Sequence, residues 1–314
     1  MKNNNPKGII LILIGMFIVS FMDATFKYIN ASVSLYEAYF VRTLISFGVI
    51  ASYLKITNKP IIFTTHYPLL TSVRVILFFF GFSSFYISLT IMPLATATAL
   101  FFASPFLITV FAIFFLKEEV GMRRWSAVIF GFIGVYIILN PDFNDFDYLS
   151  LLPVLCAVCY ALSMIIIKKT SDKDDVYSQM FHFYIFAIII SLIIYFFMGD
   201  GQYNNFDHPA SQFILRKWFT NLEFSLPYMI FIGVIGATGF LCFFTAYRIA
   251  SPAVVSPFEY SILAWASLNG WIFFEEIPNL RTFVGMILIV CGSIYIFIRE
   301  KAQDQSIATE KPLR

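Results

Sequence analysis

Long apolar runs separated by short polar connections dominate the chain. A helix that crosses a bilayer needs roughly 20 mostly apolar residues, and ten runs meet this length or come close to it. In the first half they cover residues 8–27, 35–54, 68–89, 95–116 and 124–139. In the second half they cover residues 148–168, 177–198, 226–247, 253–274 and 280–298. The pattern predicts an all-α membrane protein with ten transmembrane helices, numbered here as spans 1 to 10.

The chain also repeats itself. The stretch 89–136 returns as 248–295, and a shift of 157 positions places Glu118 on Glu275 and Phe101 on Phe258. Each copy contains five spans, and because five is odd, the second copy must cross the membrane in the opposite sense. The sequence predicts two inverted repeats, residues 1–147 and 148–300, followed by a tail at 301–314, an arrangement typical of transporters.

Positive charge fixes the predicted orientation. With the amino terminus in the cytoplasm, 15 Lys and Arg residues lie inside and four lie outside, which follows the positive-inside rule. Both termini are therefore predicted to be cytoplasmic. A short amphipathic helix along the interface is expected at 213–222, within the outer connection between spans 7 and 8.

Composition excludes several classes of protein. Hydrophobic residues make up 59% of the chain and charged residues 13%, and the mean hydropathy is +0.80, whereas soluble domains average roughly a quarter charged residues. A scattered net charge of +2 gives no nucleic-acid footprint. No catalytic, nucleotide-binding or metal-binding motif appears in the sequence. We expect neither an enzyme nor a cofactor or metal site, and the paired Cys156 and Cys159 are interpreted as packing residues.

Two charges lie at similar depth on the outer side. A charge within a membrane costs on the order of 3 kcal/mol on insertion scales, so each is expected to face a partner or a cavity. Asp23 lies about four residues from the outer end of span 1, and Arg42 about seven from that of span 2. They form either a structural ion pair or a contact between Asp23 and a substrate or proton. Lys27 competes for Asp23 at i,i+4.

A second pair, Arg74 and Glu259, lies at matching depth on the inner side. Phe102 occupies the position of Glu259 in the first repeat, so this carboxylate breaks the symmetry of the duplication, as a coupling or selectivity group would. The alternatives are an ion pair with Arg74 and a partly solvated position at the inner end. Prolines interrupt the corresponding regions of spans 4 and 9, which in transporters points to the transport site. Glu37, Glu275 and Glu276 lie at span ends, where snorkelling explains them.

Aromatic residues are 19% of the chain, and a subset is positioned to line a cavity. Aromatic faces attract desolvated organic cations by about 2 kcal/mol, whereas plain packing is the alternative for each ring. The candidates are Tyr86, Phe101, Phe102, Tyr160, Phe244, Tyr260 and Trp265. Gly233, Gly236 and Gly239 form a stripe in span 8 that favours close helix packing.

Five segments carry a resemblance to a known family. They are SFMDATFKYI (20–29), EAYFVRTLIS (37–46), LTIMPLATATALFFASPF (89–106), FFLKEEVGMRRWSAVIFGFIG (114–134) and FEYSILAWASLNGWIFFEEIPN (258–279). The chain resembles the EamA family of the drug/metabolite transporter superfamily, and its first half is similar to bacterial S-adenosylmethionine uptake transporters. The resemblance implies a cavity formed mainly by spans 1, 3, 4, 6, 8 and 9 and transport by alternating access. The chain departs from the uptake transporters in its longer connection at 199–225 and in PFEYSIL at 257–263.

Together these features predict a secondary transporter of a small polar or cationic organic metabolite, such as an S-adenosylmethionine-like compound, an amino acid or an amine. The expected partners are that substrate, the lipid bilayer and a coupling proton or counter-substrate, with no nucleic acid, in a monomer or homodimer. An amino-acid or drug exporter of the same fold is the main alternative. A passive channel or structural membrane protein is the alternative outside the transporter class.

Overall fold

The computed structural model of the protein describes residues 5–116, 129, 133–134, 136–138, 148–170, 173–249, 256–288 and 290–291. Within the described part the regular structure is entirely helical. The helices before residue 147 are α1 (Asn5–Ile29), α2 (Leu35–Ile56), α3 (Pro68–Ser88), α4 (Leu94–Phe101) and α5 (Ser104–Leu116). Those after it are α6 (Leu152–Thr170), α7 (Val176–Met198), α8 (Pro209–Leu215), α9 (Leu222–Ile249) and α10 (Ser261–Phe274). Short 3-10 helices at Tyr148–Leu151 and Ser256–Tyr260 lead into α6 and α10, and residues 280–288 are helical.

Six of the described helices are long and apolar enough to cross a membrane. They correspond to spans 1, 2, 3, 6, 7 and 8, with ends within a few residues of the prediction. Most of span 5, the end of span 10 and the tail 301–314 lie outside the described residues. Among the described residues the prediction of an all-α membrane protein is therefore confirmed.

Span 4 is two helices, because the chain breaks at Phe102 and Ala103. Pro105 has no backbone N–H, so the carbonyl of Phe101 lacks its donor four residues on. The chain turns tightly instead, and the Ala103 N–H bonds to the Leu100 carbonyl at 3.1 Å. At the matching position in span 9, the described chain forms the 3-10 helix Ser256–Tyr260, which leads into α10.

The expected interfacial helix at 213–222 is wrong in its bounds. Helix α8 begins after His208, whose ring nitrogen accepts from the Ala210 N–H at 3.2 Å, and it ends at Leu215. Phe213 and Trp218 are buried rather than facing an interface. Trp218 packs its ring 5.0 Å from Tyr195, so burial against α7 overrides the amphipathic pattern.

The loop contacts define the two ends of the bundle. At one end, which we call the Lys27 end, α1 and α3 finish side by side and Asn30 donates to the Leu89 carbonyl at 3.4 Å. At the other, which we call the Asp174 end, Asp174 follows α6 and contacts His66, which precedes α3. Helix α3 therefore runs towards the Lys27 end and α6 towards the Asp174 end, so α1 and α6 run in opposite directions.

The core lies between the two parts of the chain, which we call the first half (before residue 147) and the second half (after it). Helix α1 packs mainly on α9 and α10, α2 on α7 and α9, and α3 on α6. Glycines permit the closest approaches. A Cβ added at Gly233 on α9 would lie 2.7 Å from Ile45 Cβ and 3.0 Å from the Arg42 carbonyl oxygen. One added at Gly239 would lie 3.1 Å from side-chain atoms of Ile18 and Val19. The predicted role of this glycine stripe is confirmed at both positions.

We expect Gly233→Ala to destabilise the protein by about 1–3 kcal/mol, because the added methyl group overpacks a rigid α2–α9 contact. Gly48→Ala on α2 is the matched control, since a Cβ there has no neighbour within 4 Å and alanine favours helix by about 1 kcal/mol. Thermal unfolding in detergent measures both variants. Equal unfolding temperatures for the two would contradict this account of the interface.

Candidate functional site

Asp23 on α1 is buried, with 5% of its surface exposed. Its partner is Tyr86 on α3, whose hydroxyl donates to the Asp23 carboxylate at 3.1 Å. The Tyr86 ring stacks on Phe26 with centroids 4.0 Å apart, so the hydroxyl is held in place by the ring behind it. The two helices thus place one buried carboxylate and one phenol at the centre of the bundle.

Arg42 on α2 does not form the predicted ion pair with Asp23. The ion pairs within 4 Å among the described residues include neither side chain. Arg42 instead lies among aromatic faces, with its guanidinium carbon 4.9 Å from the ring centroid of Tyr39, 5.4 Å from that of Phe26 and 6.0 Å from that of Phe240. Tyr39 lies one helical turn before Arg42, so local helix geometry brings the ring to the cation.

Lys27 does not compete for Asp23 either, because it bonds across to the second half. Its ammonium donates to both carboxylate oxygens of Glu276, at 2.8 Å for Oε2, and to the Met92 carbonyl at 3.1 Å. The same Glu276 oxygen accepts from the Leu94 N–H at 3.2 Å, at the start of α4. These four residues form the Lys27 network, and the expected snorkelling of Glu276 is wrong.

Helix α10 is terminated so that Glu276 can reach this position. Glu275 adopts a left-handed conformation with φ of 57°, which costs a non-glycine residue roughly 1–2 kcal/mol. The turn is fixed by the Glu276 N–H, which donates to the Gly270 carbonyl at 3.0 Å. Glu37 also departs from the snorkelling prediction, since it is buried at the start of α2 and accepts from the Ser34 N–H at 3.4 Å.

Arg74 on α3 is buried and donates to the Gln179 carbonyl at 2.9 Å rather than to Glu259. It borders a small hollow of about 10 Å³, which is room for about one water molecule. The hollow is lined by side chains of α3, α7 and α9, namely Arg74, Val75, Phe78, Met180, Phe183, Tyr184, Phe240 and Phe244. Arg74 therefore faces the interface between the two halves of the chain.

Asp174 joins the loop before α3 to the loop after α6. Its carboxylate accepts from the Thr65 hydroxyl, from the His66 N–H at 2.9 Å and contacts the His66 ring nitrogen at 3.3 Å. Burial raises the pKa of Asp174, but these hydrogen bonds and the nearby imidazole outweigh it and hold the pKa below its usual value. Thr65, His66 and Asp174 form the Asp174 network.

Glu259 is buried at the break before α10, with 2% of its surface exposed. It interacts electrostatically with the Tyr160 hydroxyl of α6. The neighbouring Tyr260 ring lies 4.9 Å from that of Phe102 at the break between α4 and α5. Spans 4 and 9 therefore meet at these residues.

Most of the candidate aromatic residues join one continuous cluster. Phe101 lies 5.2 Å from Tyr160, Tyr160 lies 6.1 Å from Phe78, and Phe78 lies 6.2 Å from Phe244, all between ring centroids. Trp265 is apart from this cluster. It packs 4.9 Å from Phe17, whose side chain is exposed on the outward face of α1.

Two residues at the centre were missed by the sequence analysis. Tyr39 and Tyr184 are buried, and their hydroxyl oxygens have no hydrogen-bond partner within the described residues. A signal exists for Tyr39, because it lies three residues before a charged residue within a membrane helix. Tyr184 gives a weaker signal, as a single hydroxyl inside the apolar span 7.

A polytopic bundle whose buried charges meet at the interface of two halves, with a polar network at each end, is typical of membrane transport proteins. The model of the EamA-like transporter family matches residues 6–140 and again 148–298. The chain belongs to this family. Its members are transporters, so the expectation that the protein is not an enzyme is confirmed by the family.

Curated relatives carry three different cargoes. An S-adenosylmethionine uptake transporter of Rickettsia prowazekii is 28% identical over 95% of this chain and 95% of its own length. A riboflavin transporter of Rhizobium johnstonii is 30% identical over 78% of this chain and 75% of its own length. A pseudopaline exporter of Pseudomonas aeruginosa is 24% identical over 91% of this chain and 94% of its own length.

Among solved structures, one crystal structure aligns with a TM-score of 0.64 over 94% of this chain and 98% of that chain, at 13% identity. At this identity the likeness concerns the fold alone. It extends over nearly the whole of both chains, as the family match does.

We expect Asp174→Asn to lower the free energy of unfolding by about 1–3 kcal/mol, since hydrogen bonds to a charged acceptor are lost. Because the folded-state pKa lies below the unfolded one, this contribution is complete above the unfolded pKa and is lost as the pH falls through the folded value. The advantage of the wild type over the variant should therefore shrink on acidification. Thermal unfolding between pH 7 and about pH 2 measures it, because the loss falls below the ordinary carboxyl pKa, with the exposed Asp207→Asn as control. An unchanged unfolding temperature in Asp174→Asn would contradict the assignment.

Proposed function

We propose that the protein is a secondary active transporter that moves a small polar or cationic organic metabolite across the bacterial inner membrane by alternating access. The observation that carries this proposal is the buried set of Asp23, Arg42 and Arg74, which lies where the two halves of the bundle meet. Charges at this depth are costly unless they serve a pathway or a partner. Membership of the EamA-like transporter family supports the same conclusion.

The architecture we propose has ten transmembrane helices in two inverted repeats, residues 1–147 and 148–300, with a cytoplasmic tail at 301–314 and both termini inside. Two successive matches of the family model support the duplication. The opposed directions of α1 and α6 support the inversion. The packing supports it as well, since the contact of α1 with α9 is matched by that of α3 with α6, as a pseudo-twofold axis requires.

Alternating access needs a seal at each end that opens in turn. The Lys27 network ties α1 and the start of α4 to the end of α10, and the Asp174 network ties the loop before α3 to the loop after α6. Both join the first half to the second. With both networks formed the hollow has room for about one water, and in the proposed cycle this conformation is the one with both seals closed. Release of one network at a time would open the site to one side.

The candidate residues other than Trp265 each have a role in this mechanism. Asp23, held by Tyr86, contacts the cationic group of the substrate. Arg42 contacts another part of the substrate from the same side. Arg74 and Glu259 act towards the Asp174 end, where Glu259 is the candidate for a coupling proton. The wall of the substrate site is formed by the aromatic residues Phe101, Phe102, Tyr160, Phe244 and Tyr260. Trp265, against Phe17, is left outside the site.

S-adenosylmethionine-like compounds, amino acids and amines are the proposed substrates, and the Rickettsia relative supports the first. Export of an amino acid or drug is the second candidate, which the pseudopaline exporter supports. Sealed vesicles of known orientation separate the two by the direction of net flux. A passive channel is the candidate outside this class, and it would show flux without saturation or exchange.

We expect wild-type protein in proteoliposomes loaded with unlabelled S-adenosylmethionine to accumulate the labelled compound by counterflow. Asp23→Asn should reduce the initial rate by about tenfold or more, since a hydrogen bond or ion pair to a charged group contributes roughly 1.5–3 kcal/mol. Asp207→Asn, at an exposed loop, is the control and should exchange as the wild type does. Full exchange by a folded Asp23→Asn would remove Asp23 from the mechanism. Absence of saturable exchange with S-adenosylmethionine, amino acids and amines in the wild type would refute the proposed substrate class.

The Lys27 network yields a separate expectation. Glu276→Gln should lower both the unfolding temperature and the counterflow rate, because it weakens the contact that seals one end. The charge exchange Lys27→Glu with Glu276→Lys should recover part of both losses. The coupling energy from the double-mutant cycle should be on the order of 1 kcal/mol, since the pair is only partly exposed. Glu223→Gln, at the exposed start of α9, is the control. Strict additivity of the two single exchanges would show that the pair does not hold the ends together.

A further inference from the structure

Arg42 is a buried cation whose hydrogen-bonding capacity is largely unused. A guanidinium has five N–H donors, yet within the described residues the one hydrogen-bond acceptor of Arg42 is the sulfur of Met22, 3.7 Å from Nη1. Only 2% of the Arg42 surface is exposed, so bulk water does not reach the guanidinium. Aromatic faces attract the cation by about 2 kcal/mol, but they accept no strong hydrogen bond. Burial of a charge with unpaired donors is expensive unless a ligand completes it.

Two unpartnered hydroxyls lie beside this cation. Tyr39 is fully buried on the same face of α2, and Tyr184, 2% exposed, faces Arg42 from α7. Neither hydroxyl oxygen has a partner within hydrogen-bond distance among the described residues, although the side chains of Ser83 and Ser46 lie nearby, and both tyrosines interact electrostatically with Arg42. Tyr184 also lines the hollow, as does Phe240, which contacts the guanidinium. Tyr184 and Phe240 therefore connect the surroundings of Arg42 to the hollow.

A carboxylate is the group that satisfies this set of donors. Its two oxygens match the planar fork of an arginine and accept further bonds from hydroxyls. A phosphate dianion would bring two negative charges to a site with one guanidinium and a nearby carboxylate, Asp23. A carboxylate brings only one negative charge, which the guanidinium balances. Asp23 itself, with Tyr86 at 3.1 Å, offers an anionic acceptor for a cationic group. The two charges interact electrostatically but form no ion pair within 4 Å, so each remains available to the opposite charge of a ligand that carries both signs.

We propose that Arg42 and the hydroxyls of Tyr39 and Tyr184 form a carboxylate subsite, and that the substrate is a zwitterion. It would be an α-amino acid or a derivative that keeps its carboxylate, with the cationic group at Asp23. This inference rests on the proposed transport function and narrows its substrate class, because amines without a carboxylate are excluded.

The test compares ligand pairs that differ only in the carboxylate, namely S-adenosylmethionine with decarboxylated S-adenosylmethionine, and arginine with agmatine. The readouts are the ligand-induced rise in unfolding temperature of the purified full chain and competition in counterflow. In at least one pair, the member with the carboxylate should bind at least tenfold more tightly, because its loss leaves buried donors unpaired. Equal responses in every responding pair overturn the subsite and leave the transport proposal standing. No response to any of the four compounds overturns both.

Tyr39→Phe and Tyr184→Phe separate binding from folding. Each removes a hydroxyl that has no partner within hydrogen-bond distance, so the unfolding temperature without ligand should stay the same. Affinity for the carboxylate ligand should fall about tenfold, with no change for the decarboxylated one. Tyr195→Phe, an exposed tyrosine on the same helix as Tyr184, should change neither quantity. A loss of stability without ligand in both variants, or unchanged affinity in both, would show that the hydroxyls serve the scaffold rather than the ligand.

Discussion

Charge inside a membrane must be matched by something, because water is absent and the cost of an unmatched ion is several kcal/mol. In this protein the matching groups come from different parts of the chain. Lys27 of α1 is satisfied by Glu276 beyond α10, Arg74 of α3 by the Gln179 carbonyl of α7, and Asp23 of α1 by Tyr86 of α3. Two of these three pairs cross between the halves. The polar groups therefore add fixed points of contact between the halves to the apolar packing.

Arg42 is the exception to this rule. Its neighbours are rings and a thioether, which stabilise a cation without using its N–H groups. Because the N–H groups of Arg42 are not used in the folded protein, an anion that bonds to them gains the full stabilisation of those hydrogen bonds on binding. This differs from the Lys27 and Asp174 networks, where the hydrogen bonds are already formed and must be broken to open the bundle. Binding at the centre and opening at the ends thus draw on two different kinds of contact.

Hydropathy and proline placement predicted the helices well, because both act locally. The break after Phe101 follows from the missing N–H of Pro105 four residues later, and the ends of α2 and α3 follow from the polar connections that flank them. Pairing of charges was predicted less well. Arg42 and Asp23 have similar depth, but depth says nothing about which way each side chain points around its helix axis.

The missed tyrosines and the misplaced Trp265 have the same cause. An aromatic residue in an apolar helix has the same sequence signature whether it faces the centre, as Tyr184 does, or the periphery, as Trp265 does beside Phe17. Only the packing of α7 against α3 and α9, and of α10 against α1, separates the two cases. Tyr39 was accessible to sequence reasoning, since a hydroxyl one turn from a buried arginine shares its surroundings.

Helix α4 is short, with eight residues between Pro93 and the break at Phe102. Its first N–H group is bonded to Glu276, and its far end carries Phe101 and Phe102 into the aromatic cluster. The Glu276 carboxylate thus binds both Lys27 of α1 and the first residue of α4, and the other end of α4 contacts the centre of the bundle. If the Glu276 contacts break, α4 can tilt as a unit about the break at Phe102 and Ala103. A change at the Lys27 end then displaces the aromatic cluster two helical turns away, and α4 stays folded.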